Sequence, residues 1–207
     1  MQQYHKIQTV YLRDPETKYK TLLDGQFAKP EFDYLQHNQW EFTEKVDGTN
    51  IRVEWDGIDV RFGGKTSRAQ IPAHLFSTLQ DLFPTEAFTD CDMPSLCLYG
   101  EGYGAKIQKG GGNYIADGAS FILFDVVVGD TWLERSNVID IAAKLHILSV
   151  PIIDQGTLLD GIDMVRNGYA SALRETPPEG LVMRPVVELY NRRGERVIAK
   201  IKQKDFQ

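Results

Sequence analysis

The chain has 207 residues, 42% of them hydrophobic and 25% charged, with a formal net charge of −6. That balance belongs to an ordinary folded protein and excludes disordered and collagen-like classes. The longest apolar run, Phe121 to Val128, is broken by Asp125, and Cys91 and Cys97 are the only cysteines, which excludes a membrane-spanning helix, a disulfide framework and a four-thiolate zinc site.

The first residues, Met1-Gln-Gln-Tyr-His-Lys6, lack the charged-then-apolar layout of a secretory signal, so a cytoplasmic location is expected. Glu41 to Glu44 leads into a polar loop, after which Asn50 to Trp55 alternates apolar and polar residues as a half-buried strand does. Asp56-Gly57 supplies a tight hairpin turn and Ile58 to Phe62 returns. A polar loop over Gly63 to Pro72 precedes a helix predicted over Ala73 to Leu82. Leu96 to Tyr99 and Ser120 to Val128 read as strands, the second apolar on both faces, with a Gly-rich loop from Gly100 to Gly118 between them. Ser136 is placed as the cap of a helix through about Leu145, with Ile139, Ala142, Ala143 and His146 at helical spacing. Thr157 caps another through about Asn167, stopped by Gly168. Thr176-Pro177-Pro178 opens a strand over Gly180 to Arg184, and a last strand covers Arg196 to Lys202. The pattern predicts a single α+β domain over residues 1–207, with mostly antiparallel sheets and flanking helices. Charge is uneven along it. From Arg192 to the end six basic side chains face two acids, a net of +4, which leaves −10 for the rest.

Several local patterns carry no chemistry. Gly64-Lys65-Thr66 has Asp59 where a phosphate loop needs its first glycine, and Gly100-Glu-Gly-Tyr-Gly lacks the dinucleotide spacing. His5, His37, His74 and His146 are scattered and form no metal-binding pair. Glu44-Lys45-Val-Asp47-Gly48-Thr-Asn50 is different, and has two readings. One is a polar turn with a salt bridge. The other is a nucleophilic lysine, which must be unprotonated to attack, a state that burial and nearby cations favour. Lys200-Ile-Lys202 supplies such cations, and Glu101, Asp125 and Glu179 lie at or in strands as carboxylates suited to a metal.

Five ordered motifs then carry a resemblance. Lys45-Val-Asp-Gly-Thr-Asn50 comes first, followed by Phe62-Gly-Gly-Lys65-Thr-Ser-Arg68. Leu98-Tyr-Gly-Glu101 leads into Phe121-Ile-Leu-Phe124-Asp125-Val126, and Glu179-Gly-Leu-Val-Met-Arg184-Pro and Ala199-Lys200-Ile-Lys202 complete the set. In this order the chain resembles the covalent nucleotidyltransferase superfamily of ATP-dependent ligases and capping enzymes, over Lys45 to Phe206. Asn50, where DNA ligases and capping enzymes usually carry arginine, and Gly104-Ala-Lys-Ile-Gln-Lys109 make it similar to the RNA ligase 2 branch. It departs from that branch in Asp47, where a phage relative has histidine, and in Lys65, where relatives usually have arginine. Because the fifth motif falls at the end of the sequence, the C-terminal domain with which family members grip RNA is expected to be absent.

The resemblance implies a nucleotidyltransferase (adenylation) domain of the ATP-grasp-like ligase type. It implies ATP and Mg²⁺, with Mn²⁺ as a substitute, and RNA carrying 5′-phosphate and 3′-OH ends. Lys45 would take AMP; Lys200, Lys202 and Glu179 would complete the catalytic set. Glu44, Asn50, Lys65, Glu101 and Phe124 would hold the nucleotide together with the two later lysines. Asp47, Glu101 and Glu179 would organise the metal, and Lys65 and Arg68 would meet the RNA. A monomer is expected, with a partner protein supplying the missing domain, and no membrane. A minimal DNA ligase and a non-catalytic adenylate- or RNA-binding relative stand as alternatives, with a capping guanylyltransferase behind them.

Overall fold

The computed structural model describes residues 3–206, which fall into two units. The first takes in the residues up to His5 together with Asp47–Val150; the second takes in Lys6–Val46 and the residues from Pro151 onward. Among the described residues, no helix is long and apolar enough to cross a membrane.

In the first unit the strand expected from Asn50 spans Thr49–Trp55. It belongs to a sheet ordered Leu148–Ser149, Ala119–Val128, Leu96–Gly104, Thr49–Trp55, Val60–Gly64, with Thr131–Trp132 also paired to Ala119–Val128. All these pairings are antiparallel except that of Leu148–Ser149. Period-two alternation puts Ile51, Val53, Leu98, Phe121 and Leu123 in one core, packed with Leu75 and Leu79 of the helix Ala73–Leu82 and Val138 and Ile141 of the helix Arg135–Lys144. Fully burying such side chains stabilises by about 1.5–3 kcal/mol each.

Two expectations need correction here. The strand from Leu96 runs on to Gly104, so the glycines from Gly100 do not open the loop. They are strand glycines because larger residues do not fit. A Cβ on Gly100 would lie 2.1 Å from Cζ of Phe121, and one on Gly102 2.5 Å from Cδ2 of Leu75. The second correction is the helix at 135, whose N-cap is Glu134 rather than Ser136 and which has no side-chain capping bond. Docking fixes its start instead: Leu133 N donates to Val126 O, and Arg135 donates to Phe124 O. His146 lies beyond its end in a left-handed turn (φ 54°).

The second unit has a sheet ordered Gln8–Thr9, Ala199–Lys202, Gly180–Pro185, Trp40–Glu44, Ile152–Gly156. Only its first pairing is parallel. Trp40, Phe42, Leu181, Met183, Ala199 and Ile201 face the core and meet Leu158, Ile162 and Val165 of the helix Leu158–Asn167. Thr157 caps that helix as expected, in a capping box with Asp160. The last strand begins at Ala199 rather than Arg196, which instead bridges to Tyr190. A hairpin of Tyr11–Arg13 and Leu22–Phe27 and a short helix, Pro30–Tyr34, complete the unit. The α+β class with mostly antiparallel sheets is as the sequence predicts.

Candidate active site

The alternation that buries Trp40 and Phe42 turns Glu41 and Thr43 to the other face of the second unit's sheet, and Lys45 follows them just past the strand end. The same rule sends Lys200 and Lys202 to that face, because Ala199 and Ile201 are in the core. Register completes the arrangement. Thr43, Val182 and Lys200 lie in one row. In the next, Gly180 is paired with Lys202 and its carbonyl accepts from Lys45 N at 2.8 Å. The two lysines thus flank a glycine.

Gly180 has no room for a side chain. Its φ is +152°, and a Cβ there would lie 2.1 Å from Ile201 O. The close approach brings Glu179, the residue before it, between the two amines. Its Oε2 accepts from Lys45 Nζ at 2.7 Å, and its Oε1 meets Lys202 Nζ at 2.5 Å. All three side chains are largely shielded from solvent. Burial opposes ionisation of Glu179, but the two ammonium groups outweigh it and hold its pKa below the usual carboxylate range. Lys45, Glu179 and Lys202, which the sequence places 134 and 157 positions apart at most from Lys45, are therefore brought into direct contact, with Lys200 one row away.

Glu44 points elsewhere. Its carboxylate is buried and accepts from Ser171 Oγ at 2.5 Å and from Ala172 N at 2.7 Å, and its own N donates to Pro151 O. Tyr169 Oη donates to Gly180 O at 2.6 Å. Sequence reasoning missed Tyr169, Ser171 and Ala172. Their only signal is their closeness to Glu179, and nothing in local periodicity connects them with Glu44.

The first unit carries the other candidates. Asn50 and Glu101 are paired residues, with Ile122 next to Glu101, on the sheet face opposite Ile51. The neighbouring row holds Arg52, Tyr99 and Asp125. Arg52 is buried and its Nε donates to Gly64 O at 2.8 Å; Asp125 is fully buried and accepts from Tyr4 Oη at 2.7 Å. Phe124 is half-buried, edge-on to Tyr4 with ring centres 5.0 Å apart, in a cluster with Cys97, Tyr99, Val127 and Trp132. Asp47 N donates to Tyr114 Oη at 3.1 Å, and Gln108 donates to Gly48 O. Lys65 and Arg68 are exposed, between the strand Val60–Gly64 and the helix Ala73–Leu82. Among the described residues, no group of three or more His, Cys, Asp or Glu side chains converges to hold a metal. Magnesium does not require such a cage, since one or two carboxylates and substrate phosphates suffice. Asp47 and Glu101 in the first unit, and Glu179 in the second, are each oxygen donors of the kind magnesium takes.

A search of curated proteins found no match. The RNA ligase family model matches residues 38–202. Among solved structures, Naegleria gruberi RNA ligase with PPi is similar at 20% identity and a TM-score of 0.66, covering 84% of this chain and 52% of that one. A mutant of the same ligase with ATP and Mn gives 20% and 0.66, over 85% and 54%. Another with AMP and Mn gives 18% and 0.65, over 95% and 56%. The chain spans about half the length of these structures, and at such identities they show a shared fold. The family match covers most of the sequence and all five motifs, so the chain belongs to the RNA ligase family.

Proposed function

We propose that the chain catalyses ATP-dependent RNA ligation through a lysyl-AMP intermediate. The observation that supports this most is the Lys45–Glu179–Lys202 bridge, with Lys200 on the same sheet face. The Naegleria structures with ATP or AMP and Mn support the choice of nucleotide and divalent ion.

Phosphoryl transfer asks a protein mainly for positioning and neutralisation of charge. In the first step the neutral amine of Lys45 bonds to the α-phosphorus of ATP. The bond from that phosphorus to the bridging oxygen of the β-phosphate breaks, pyrophosphate leaves, and the proton from the lysine nitrogen passes to solvent. Lys200 and Lys202 neutralise the α-phosphate oxygens. Glu179, with its lowered pKa, is a weak base at neutral pH and serves to orient Lys45 rather than to deprotonate it. AMP then moves to an RNA 5′-phosphate, forming a 5′-5′ anhydride, and an RNA 3′-OH displaces AMP to close the phosphodiester. The covalent intermediate divides one difficult displacement into easier ones.

Asp47, Glu101 and Glu179 would hold Mg²⁺ or Mn²⁺, which when bound neutralises charge on the phosphates. Asn50 is assigned to the nucleotide, Glu101 and Glu179 also to the ribose hydroxyls, Phe124 to adenine, Glu44 to the purine edge, and Lys65 and Arg68 to the ribose or the RNA 5′-phosphate. The test is incubation with labelled ATP and Mg²⁺, followed by mass spectrometry. One AMP is expected on Lys45 and none in Lys45→Ala; a label that persists in that variant refutes the assignment. Sealing of nicked RNA against nicked DNA duplexes then separates an RNA ligase from a DNA ligase.

A further inference from the structure

A cleft of about 730 Å³ opens in the second unit, between the Lys6–Thr9 segment, the hairpin that begins at Tyr11, and the strand of Lys200 and Lys202. Its charge is unlike that of the chain as a whole. Lys6, Arg13, Lys20, Lys200, Lys202 and Lys204 line it against one acid, Asp205, whereas the whole chain carries −6.

The cations divide into two groups. Arg13 is a brace: its guanidinium donates to Asp205 at 2.7 Å and to the carbonyls of Tyr19 and Lys20 at 3.3 and 3.4 Å. Asp205 in turn accepts from Lys202 N at 3.0 Å. The hairpin turn is thereby tied to the end of the lysine strand. Lys6, Lys20 and Lys204 are exposed and form no ion pair among the described residues. They are the charges left over for a ligand.

The brace also holds the backbone that presents an aromatic. Tyr19 lines the cleft, is 63% exposed, and has φ 62° directly after Lys18 at φ 55°. Two successive left-handed residues that are not glycine are costly, and such conformations persist where surrounding bonds impose them. Tyr19 N donates to Asp14 O and Lys18 N to Pro15 O, which closes the turn in that form. The result is an exposed ring on a constrained backbone, beside lysines that form no ion pair among the described residues.

A cationic groove with an exposed aromatic is how proteins hold a single nucleic-acid strand, the lysines tracking phosphates and the ring stacking on a base. We infer that this cleft is a groove for single-stranded RNA, with Lys6, Lys20 and Lys204 on backbone phosphates and Tyr19 on a base. None of these four residues lies within the 38–202 span matched by the family model. The choice of RNA as the strand rests on the ligase reading above. A polyphosphate such as the tail of ATP is the competing ligand, and it gives Tyr19 nothing to stack on.

The test measures binding of a 5′-phosphorylated single-stranded RNA dodecamer to the 207-residue chain by fluorescence anisotropy, at about 50 and about 200 mM salt, a range over which phosphate contacts weaken steeply. Tyr19→Ala should weaken binding by about fivefold or more without changing the salt slope, and Tyr19→Phe should restore it. Lys6→Ala combined with Lys20→Ala should weaken binding and flatten the slope by about 1.4, since each single-strand phosphate contact contributes about 0.7. Lysyl-AMP formation should stay within about twofold of the parent in every variant. Unchanged RNA affinity in both variants overturns the proposal, as does a parent chain that fails to bind at the lower salt. Slower adenylation with RNA binding intact also overturns it and assigns the cleft to the ATP tail. A parent that makes no lysyl-AMP yet binds RNA through Tyr19 and the lysines leaves the groove standing and removes the ligase reading.

Discussion

Each unit builds a sheet with one apolar face and one polar face, and the two polar faces are held in different ways. In the second unit, charge does the holding: Lys45 and Lys202 share the carboxylate of Glu179, with Lys200 alongside. In the first unit, packing does it. Asp125 and Arg52 are buried, Arg52 donating to Gly64 O and Asp125 accepting from Tyr4 Oη, and Tyr99, Phe124 and Trp132 cluster with Tyr4. The comparison teaches where substitutions should be felt. Removing a charge from the second unit's face disturbs electrostatics first, because Lys45, Glu179 and Lys202 balance one another's charge. Removing space or bonds from the first unit disturbs stability, because its groups are buried away from water.

The largest effect should follow from breaking the charge set. Glu179→Ala leaves two ammonium groups without the carboxylate between them, and Lys200→Ala removes a cation from the proposed phosphate site. Each should slow self-adenylation by at least about a hundredfold, the loss of about 3 kcal/mol that comes with removing one group that stabilises developing charge. The rate of label transfer from ATP is the measurement. Near-normal rates in both variants, with the circular dichroism spectrum intact, would mean that this face is not where ATP reacts.

A smaller effect tests the packing side. Alanine at Gly100 puts its Cβ 2.1 Å from Phe121 Cζ and 2.5 Å from the backbone oxygen of Ile122, and backbone does not swing aside. Overpacking of this kind costs about 1–3 kcal/mol, sometimes more. Alanine at Gly161 in the second unit meets Met183 Sδ at 2.5 Å and Phe42 Cε1 at 2.9 Å. Methionine is flexible, and alanine gains up to about 1 kcal/mol over glycine in a helix interior. Urea denaturation should therefore show Gly100→Ala to be clearly the more harmful. The reverse order would show that the sheet of the first unit yields more readily than its geometry indicates.

Legibility in the sequence follows the range of the forces involved. The strand from Thr49, the helix Ala73–Leu82 and the cap at Thr157 were readable because alternation and capping act within a few residues. The lysine-bearing strand was readable for the same reason, and the family motifs named Lys45, Glu179 and Lys202 as a set. Their shared ion pair was not readable, because it depends on the pairing of three strands distant in sequence. Gly100 and Gly102 misled because glycine has two causes, a turn or a crowded neighbour, and only tertiary contacts distinguish them. The Tyr11–Phe27 hairpin escaped notice altogether. Its strands are short and irregular in register, and its turn is held by Arg13 reaching Asp205, 192 positions away.

The smallest expected effect compares two helix starts. In the second unit, Asp160 N donates to Thr157 Oγ1 at 3.1 Å, while Thr157 donates to Asp160 through both its hydroxyl and its backbone N–H. In the first, Glu134 stands at the N-cap with no side-chain bond. Thr157→Ala should thus cost about 1 kcal/mol, the usual value of a lost cap, whereas Glu134→Ala should change stability by no more than about 0.5 kcal/mol. The cap also predicts a pH dependence. The Thr157 hydroxyl, and after it the Thr157 backbone N–H, hold the Asp160 carboxyl below its usual pKa. A carboxylate depressed in the folded state stabilises fully above its unfolded value, about 3.9, and that contribution disappears as pH falls through the folded value. Because Asp160 is exposed, solvent keeps the linked part small. Urea midpoints of the parent and Thr157→Ala should therefore differ at pH 7 and draw together below about pH 4. A gap that widens on acidification would show that Thr157 contributes through something other than its exchange of hydrogen bonds with Asp160.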